Sequence, residues 1–241
     1  MSSTRRSRPV VAIDGPAGSG KSTTARAVAA ELGFVHLDSG ALYRAVTLVS
    51  LEGPDAPEGW NGVAVAERAR ARHVALERRG SGQTFDVTVD GQSVGAQLRS
   101  EAVTREVSRV AAMGPVRELV NMVLREAARD GGVVLDGRDI GTAVFPDAEV
   151  KVFLVADAAE RARRRLLERR RATDAESLAA EAEALLRRDD YDQGRELAPL
   201  ARAPDAVLLD TTRLDFREQV RAVVELVRKA AASLDPTRSH G

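Results

Sequence analysis

Residues 15–22 read Gly-Pro-Ala-Gly-Ser-Gly-Lys-Ser, a match to the phosphate-loop pattern Gly-x-x-x-x-Gly-Lys-[Ser/Thr]. The apolar run 10–13 before them is typical of a buried strand, and residues 23–32 after them have a helical pattern. Glycines let successive amide N–H groups face inward, and these amides hold phosphate oxygens together with the positive end of the following helix. The alternative, a glycine-rich turn without a ligand, does not require a lysine and a serine in register.

The loop predicts a site for ATP with Mg²⁺. Lys21 is expected to reach the β- and γ-phosphates, and the Ser22 hydroxyl to contact Mg²⁺, with Thr23 as a less favoured substitute. The candidate ATP-binding residues are Gly15, Pro16, Ala17, Gly18, Ser19, Gly20, Lys21, Ser22 and Thr23.

The charge balance disfavours whole classes of function. Lys and Arg number 36 and Asp and Glu also number 36, whereas a general nucleic-acid or membrane-surface binder would carry a basic excess. The chain has no cysteine, which excludes disulfides and thiolate metal sites, and its three histidines are too scattered for a His-rich site. No apolar segment approaches 18 residues, the length of a membrane-spanning helix. Together with the charge balance, this leads us to expect a cytoplasmic protein that binds neither nucleic acid nor membranes.

Apolar runs alternate with helical patterns along most of the chain. Five such runs predict five parallel strands with helices on both faces, a doubly wound α/β fold. We expect this P-loop core over residues 10–52 and 101–232, after a disordered N-terminal arm over residues 1–9 and before a loose tail over residues 233–241.

The segment from residue 60 to residue 100 differs in character. Residues 84–89 alternate apolar and polar side chains, as a half-exposed strand does, and Asp90-Gly91 marks a tight hairpin. Residues 73–78 predict a further strand. We therefore expect a small antiparallel insert over residues 60–100.

Polar residues follow two of the predicted core strands. Ligands bind at the carboxyl edge of open α/β sheets, where Asp136 would hold Mg²⁺ through water or polarise the attacking group. Arg44, one turn into a predicted helix, would direct a guanidinium beside the phosphate loop, while Asp38 and Ser39 are also ordinary helix caps. A turn with a salt bridge is the alternative for residues 136–139.

Residues 160–171 form the densest basic run. A nucleic-acid arm would give a basic surplus, which the chain lacks, and a solvated helix face remains open. The favoured interpretation is a short helical lid over residues 161–175 that closes arginines over the transferring phosphoryl group. Arg161 and Arg165 are the candidates because residues four apart share a helix face.

Several blocks, in order, resemble the bacterial cytidylate kinases, which are nucleoside monophosphate kinases. The blocks are residues 13–16, 37–44, 116–118, 136–148 and 188–192. The block that runs from Asp136-Gly137-Arg138-Asp139 to Phe145-Pro146-Asp147-Ala148 is specific, because adenylate, shikimate and gluconate kinases share the phosphate loop but lack it. The resemblance implies ATP-dependent phosphorylation of CMP and dCMP by a monomer, with the antiparallel insert as the nucleoside-monophosphate-binding part.

The resemblance also implies roles for individual residues. The implied CMP-binding residues are Ser39, Arg44, Ser108, Arg117, Arg138, Asp139, Arg188, Asp192 and Arg195. The implied catalytic residues are Lys21, Asp136, Arg138, Arg161 and Arg165. Asp139 and Arg117 would read the cytosine edge, because a uracil would place a carbonyl where a carboxylate needs a donor. A kinase for UMP, AMP or a sugar acid, and a non-catalytic nucleotide-dependent switch, are the alternatives.

Overall fold

The computed structural model describes residues 6, 8–55, 57–79 and 84–234. The chain divides into two compact units, one that ends at Phe34 and resumes at Asp130, and one from Val35 to Arg129. Residues 1–5 and 7 of the predicted arm, and residues 235–241 of the predicted tail, lie outside the described residues. No helix in the described ranges is long and apolar enough to cross a membrane.

The described residues of the first unit form four parallel strands, β1 Val10–Asp14, β6 Val133–Asp136, β7 Val150–Val155 and β8 Val207–Asp210. Their spatial order is β6-β1-β7-β8. The register places Ile13 of β1 opposite Asp136 of β6 on one side and opposite Val152 of β7 on the other. Because these strands are parallel and in close register, the residues that follow β1 and β6 emerge at the same edge of the sheet.

Four α-helices lie in the described part of the first unit. They are α1 Lys21–Leu32, α6 Ala158–Glu168, α7 Ala175–Gln193 and α8 Phe216–Leu234. Valines of α8 and small apolar residues of α1 pack on the buried side chains of β1, β6 and β7. A separate apolar cluster joins Ala162 of α6 and Leu185 of α7 to Ala17 of the phosphate loop.

The second unit contains the fifth parallel strand and the antiparallel strands. The strands are β2 Val35–Asp38, β3 Ala75–Arg79, β4 Thr84–Val89 and β5 Gln92–Ser93. β4 pairs antiparallel with β3 and β5 and parallel with β2. The predicted α/β fold, with five parallel strands and a small antiparallel sheet, is confirmed.

The helices of the second unit are α2 Ser39–Leu51, α3 Gly62–Ala71, α4 Glu101–Val110 and α5 Gly114–Ala127. The sequence patterns did not predict α3, which packs on α2 and α5. Helices α2, α4 and α5, expected in the core, cluster with the strands of the insert. This compact unit therefore extends beyond residues 60–100 at both ends.

Candidate active site

The phosphate loop connects β1 to α1. Its first residue, Gly15, has a φ of +146°, and a Cβ atom there would lie 2.1 Å from the carbonyl oxygen of Leu154. Only glycine fits both the backbone conformation and this close approach. The loop ends at Gly20, the N-cap of α1, so Lys21 and Ser22 begin the helix whose N-terminus attracts anions.

Lys21 is buried, and its ammonium group contacts the loop itself. Nζ donates to the carbonyl of Pro16 at 2.6 Å and lies 3.4 Å from the Ser19 hydroxyl. Burial lowers the pKa of Lys21 well below its ordinary value, and the charge of Arg138 acts in the same direction. A phosphate group in the loop would supply the negative charge that this buried cation needs.

Ser22 and Asp136 come together at the carboxyl edge of the sheet. The Ser22 hydroxyl donates to Oδ2 of Asp136 at 2.5 Å, and Asp136 is 3% exposed. One oxygen comes from the first turn of α1 and the other from the end of β6. A hydroxyl and a carboxylate are the hard oxygen ligands that Mg²⁺ accepts, so the two residues fit the predicted metal.

Asp14, the last residue of β1, is a site residue that the sequence patterns did not single out. Its two carboxylate oxygens accept hydrogen bonds from the backbone amides of Ile140, at 2.8 Å, and Gly141, at 2.7 Å. These amides open a π-helical turn over Ile140–Val144. Burial, with a smaller contribution from Asp139, raises the pKa of Asp14 to about 7. The sequence did carry one signal for Asp14: it is a carboxylate at the end of an otherwise apolar strand.

Three of the predicted acceptor-site residues form one network. Arg138 Nε donates to Oδ2 of Asp192 at 3.0 Å, and Arg195 pairs with the other oxygen of the same carboxylate. Asp192 is 1% exposed, so both cations are held against a buried anion. Asp139 is also buried, and Arg188 lies one turn before Asp192 on α7. The structure thus brings together side chains more than 50 residues apart in sequence.

The remaining predicted CMP-binding residues lie in the second unit. Arg44 Nη1 donates to the carbonyl of Leu98 and to the hydroxyl of Thr104, both at 3.0 Å. Buried Arg117 donates to the carbonyl of Ala111 at 3.0 Å. Ser39 opens α2 and is buried, and Ser108 is half-buried on α4.

Comparison with known proteins assigns the family. The cytidylate kinase family model matches residues 11–229. The chain belongs to the cytidylate kinase family. A cytidylate kinase from Chlorobaculum tepidum is 44% identical over 223 residues, which cover 91% of this chain and 93% of that protein. A cytidylate kinase from Desulfitobacterium hafniense is 46% identical over 216 residues, which cover 90% and 91% respectively. The resemblance drawn from the sequence motifs is therefore confirmed.

Arg161 and Arg165, the two arginines predicted for the lid, have different partners. Arg165 Nε pairs with Glu181 at 2.8 Å, and Arg169 Nη1 lies 3.6 Å from the same glutamate. Burial lowers the pKa of Arg165 below its usual range. Arg161 is 5% exposed and pairs with Asp189 of α7. Both arginines thus face α7, as their spacing of four residues predicts, but they pair with carboxylates at different positions along it.

Both backbone groups of Ala17 in the phosphate loop are bound by side chains of α6 and α7. Its amide N–H donates to Oδ1 of Asp189 at 3.0 Å, and its carbonyl accepts from Arg161 Nη1 at 3.0 Å. The sequence motif grouped Ala17 with the residues that bind ATP. In the structure its amide is bound to a carboxylate of α7, and its contact with ATP stays a prediction.

Proposed function

We propose that this chain transfers the γ-phosphoryl group of ATP to the phosphate of CMP or dCMP. An oxygen of the acceptor phosphate forms a bond to the γ-phosphorus, and the bond from that phosphorus to the β–γ bridging oxygen breaks. The products are ADP and either CDP or dCDP. Relatedness to cytidylate kinases over residues 11–229 is the observation that carries the proposal. A UMP, AMP or sugar-acid kinase, or a non-catalytic switch, receives no such support.

On the donor side, the amides from Gly18 to Ser22 would bind the phosphates of ATP. Lys21 would exchange its contacts with Pro16 and Ser19 for the β- and γ-phosphates, and the transfer would gain electrostatic stabilisation from a buried cation. Arg165 would add charge from the lid. Arg161, which is bound to the loop backbone and to Asp189, would act on the loop instead of on the phosphoryl group.

Mg²⁺ would be held by Ser22, with Asp136 acting directly or through water. When bound, the ion neutralises charge on the β- and γ-phosphate oxygens. The short Ser22–Asp136 contact supports this assignment, because it presents two oxygen ligands at the helix N-terminus where the phosphates would lie.

On the acceptor side, Arg138, Arg188 and Arg195 would bind the CMP phosphate. Asp192 would accept from ribose hydroxyls while it holds two of these arginines in place. Arg44 and Ser39 are further candidates for the acceptor. Asp139 would accept from the cytosine amino group, and Arg117 would donate to the acceptors of the cytosine ring. Uracil would be rejected because it would place a carbonyl opposite the buried carboxylate of Asp139.

An acceptor screen tests the proposal. Purified protein with ATP and Mg²⁺ should release ADP rapidly with CMP and dCMP and at least about 100-fold more slowly with UMP and AMP, because a buried mismatch of roughly 3 kcal/mol has that effect. CDP should appear in equal amount. Release of ADP with no preference for CMP would overturn the acceptor assignment.

Lys21→Met provides the matching loss-of-function variant. The chain has lysine at only three positions, 21, 151 and 229, and Lys229 is exposed on α8. Lys21→Met should lower kcat by about 100- to 1,000-fold, since one preorganised charge contributes about 3–4 kcal/mol, while Lys229→Met should leave it unchanged. The predicted monomeric state, cytoplasmic location and lack of nucleic-acid and membrane binding remain predictions.

A further inference from the structure

Both backbone groups of Ala17 are bound by one ion pair. Asp189 of α7 accepts from the Ala17 amide at 3.0 Å, and Arg161 of α6 donates to the Ala17 carbonyl at 3.0 Å. Arg161 and Asp189 also pair with each other. The two side chains therefore form a clamp, which we define as Arg161, Asp189 and the peptide groups of Ala17 that they hold.

The clamp is buried and closely packed. Arg161 and Asp189 are each 5% exposed, and Ala17 packs with Ala162 and Leu185. A Cβ atom at Gly18 would lie 3.3 Å from Cβ of Arg161. The middle of the phosphate loop thus rests directly on the start of α6 and on α7.

A buried ion pair is an unexpected way to gain stability alone. Taking two charges out of water costs several kcal/mol, and an apolar pair of similar volume often gives equal or greater stability. In the clamp, however, the guanidinium donates to the Ala17 carbonyl and the carboxylate accepts from the Ala17 amide, so the pair satisfies both backbone groups of a loop residue. That arrangement fixes the peptide planes on either side of Ala17, from which the phosphate-binding amides of the loop continue.

We propose that Arg161 and Asp189 are positioning residues that hold the phosphate loop in the conformation that binds ATP. They act through the Ala17 backbone and do not touch the substrates. The inference rests on the proposed function only in that the loop binds ATP. It also replaces the direct contact with the phosphoryl group that the sequence predicted for Arg161.

The double variant Arg161→Met/Asp189→Leu separates positioning from stability. It removes both charges together and leaves neither one buried alone. The melting temperature should fall by no more than about 10 °C, because the buried Ala17 amide and carbonyl lose their partners at a cost of about 1–3 kcal/mol each, while the desolvation cost of the ion pair disappears. The Kd for a non-hydrolysable ATP analogue, measured by calorimetry, should rise at least tenfold, whereas the Kd for CMP alone should change less than threefold.

The matched control is Arg163→Met/Asp190→Leu. These exposed neighbours carry the same charges on the same two helices, and the control should leave the Kd for the ATP analogue within twofold of the parent value. Unchanged ATP affinity in the stable clamp variant would overturn the proposal, because a purely structural pair predicts that result. If the double variant does not fold, Arg161→Lys tests the same point, since it keeps the charge but loses the fixed guanidinium geometry.

Steady-state kinetics give a second readout. In the clamp variant, KM for ATP should rise with the Kd while KM for CMP stays within threefold. The parent protein distinguishes the two proposals: absence of CMP turnover would contradict the proposed function, yet the binding measurement with the ATP analogue would still decide the role of the clamp.

Discussion

The Ser22 hydroxyl lies 2.5 Å from Oδ2 of Asp136, although 114 positions separate the two residues. The sheet explains the contact. β1 and β6 are adjacent and parallel, Ile13 lies opposite Asp136, and the Gly137 amide donates to the Ile13 carbonyl at 3.1 Å. The loop after β1 and the end of β6 therefore lie at the same edge of the sheet, which places the Asp136 carboxylate beside the first turn of α1.

Asp136→Asn should weaken the use of Mg²⁺. The substitution keeps the size of the side chain but removes the charge that favours a divalent cation. We expect kcat to fall about 100-fold, the effect of roughly 3 kcal/mol at the transition state. The Mg²⁺ concentration for half-maximal rate should rise about tenfold in initial-rate titrations. Asp190→Asn, at an exposed position of α7, is the control, and an unchanged Mg²⁺ dependence in Asp136→Asn would argue against the metal assignment.

Asp139→Ala should affect one substrate selectively. Asp139 is 4% exposed and is proposed to accept from the cytosine amino group. Losing that contact to a buried group corresponds to about 1–3 kcal/mol, so KM for CMP should rise about 10- to 100-fold while KM for ATP changes less than threefold. The ratio of kcat/KM for CMP to that for UMP should fall toward one. Equal changes in both KM values would contradict a role in base recognition.

Sequence patterns predicted what depends on local order. The phosphate loop, the apolar strands and the Asp90-Gly91 hairpin each follow from residues within a few positions of one another, and the structure contains all three. Asp136, the last residue of β6, lies at the edge where β1 also ends, because adjacent parallel strands end at one edge. Family motifs added the arginines proposed to bind the acceptor, of which Arg138 and Arg195 share Asp192.

Long-range backbone contacts were beyond the reach of local patterns. The amide of Ala17 looked like any other loop amide because its partner, Asp189, lies 172 residues away. The same limit applies to Asp14, whose partners at Ile140 and Gly141 become visible only in the folded sheet. Helix spacing placed Arg161 and Arg165 on one face of α6, yet it could not predict that they pair with different carboxylates of α7.

Asp14→Asn should change the pH dependence of stability. The raised pKa of Asp14, about 7 against 3.8 in the unfolded chain, means that the native state binds this proton more tightly. The contribution of Asp14 to stability is therefore full below about pH 4 and is lost as the pH rises to about 7. Asparagine does not titrate, so the variant should lack this loss.

Urea denaturation at several pH values measures the effect. Between pH 4 and pH 8, the unfolding free energy of the parent protein should fall relative to that of Asp14→Asn by about 4 kcal/mol at most, since one pKa unit corresponds to about 1.4 kcal/mol. The most informative points lie between pH 5 and pH 7. A constant difference across this range would show that Asp14 keeps an ordinary pKa in the native state.

Glu149 binds the first residue of β1 through its side chain. Glu149→Ala should therefore destabilise the protein without changing catalysis. Its Oε2 accepts from the Val10 amide at 2.8 Å, and its Oε1 accepts from Arg6 at 3.2 Å. Removing it leaves a partly buried amide without its acceptor, so the unfolding free energy should fall by about 1–3 kcal/mol. Asp147→Asn is the control, because the second partner of Arg6 is 56% exposed and such pairs contribute under about 1 kcal/mol. Both variants should keep the kcat of the parent protein, and a larger loss of stability from Asp147→Asn than from Glu149→Ala would refute the role of the Val10 contact.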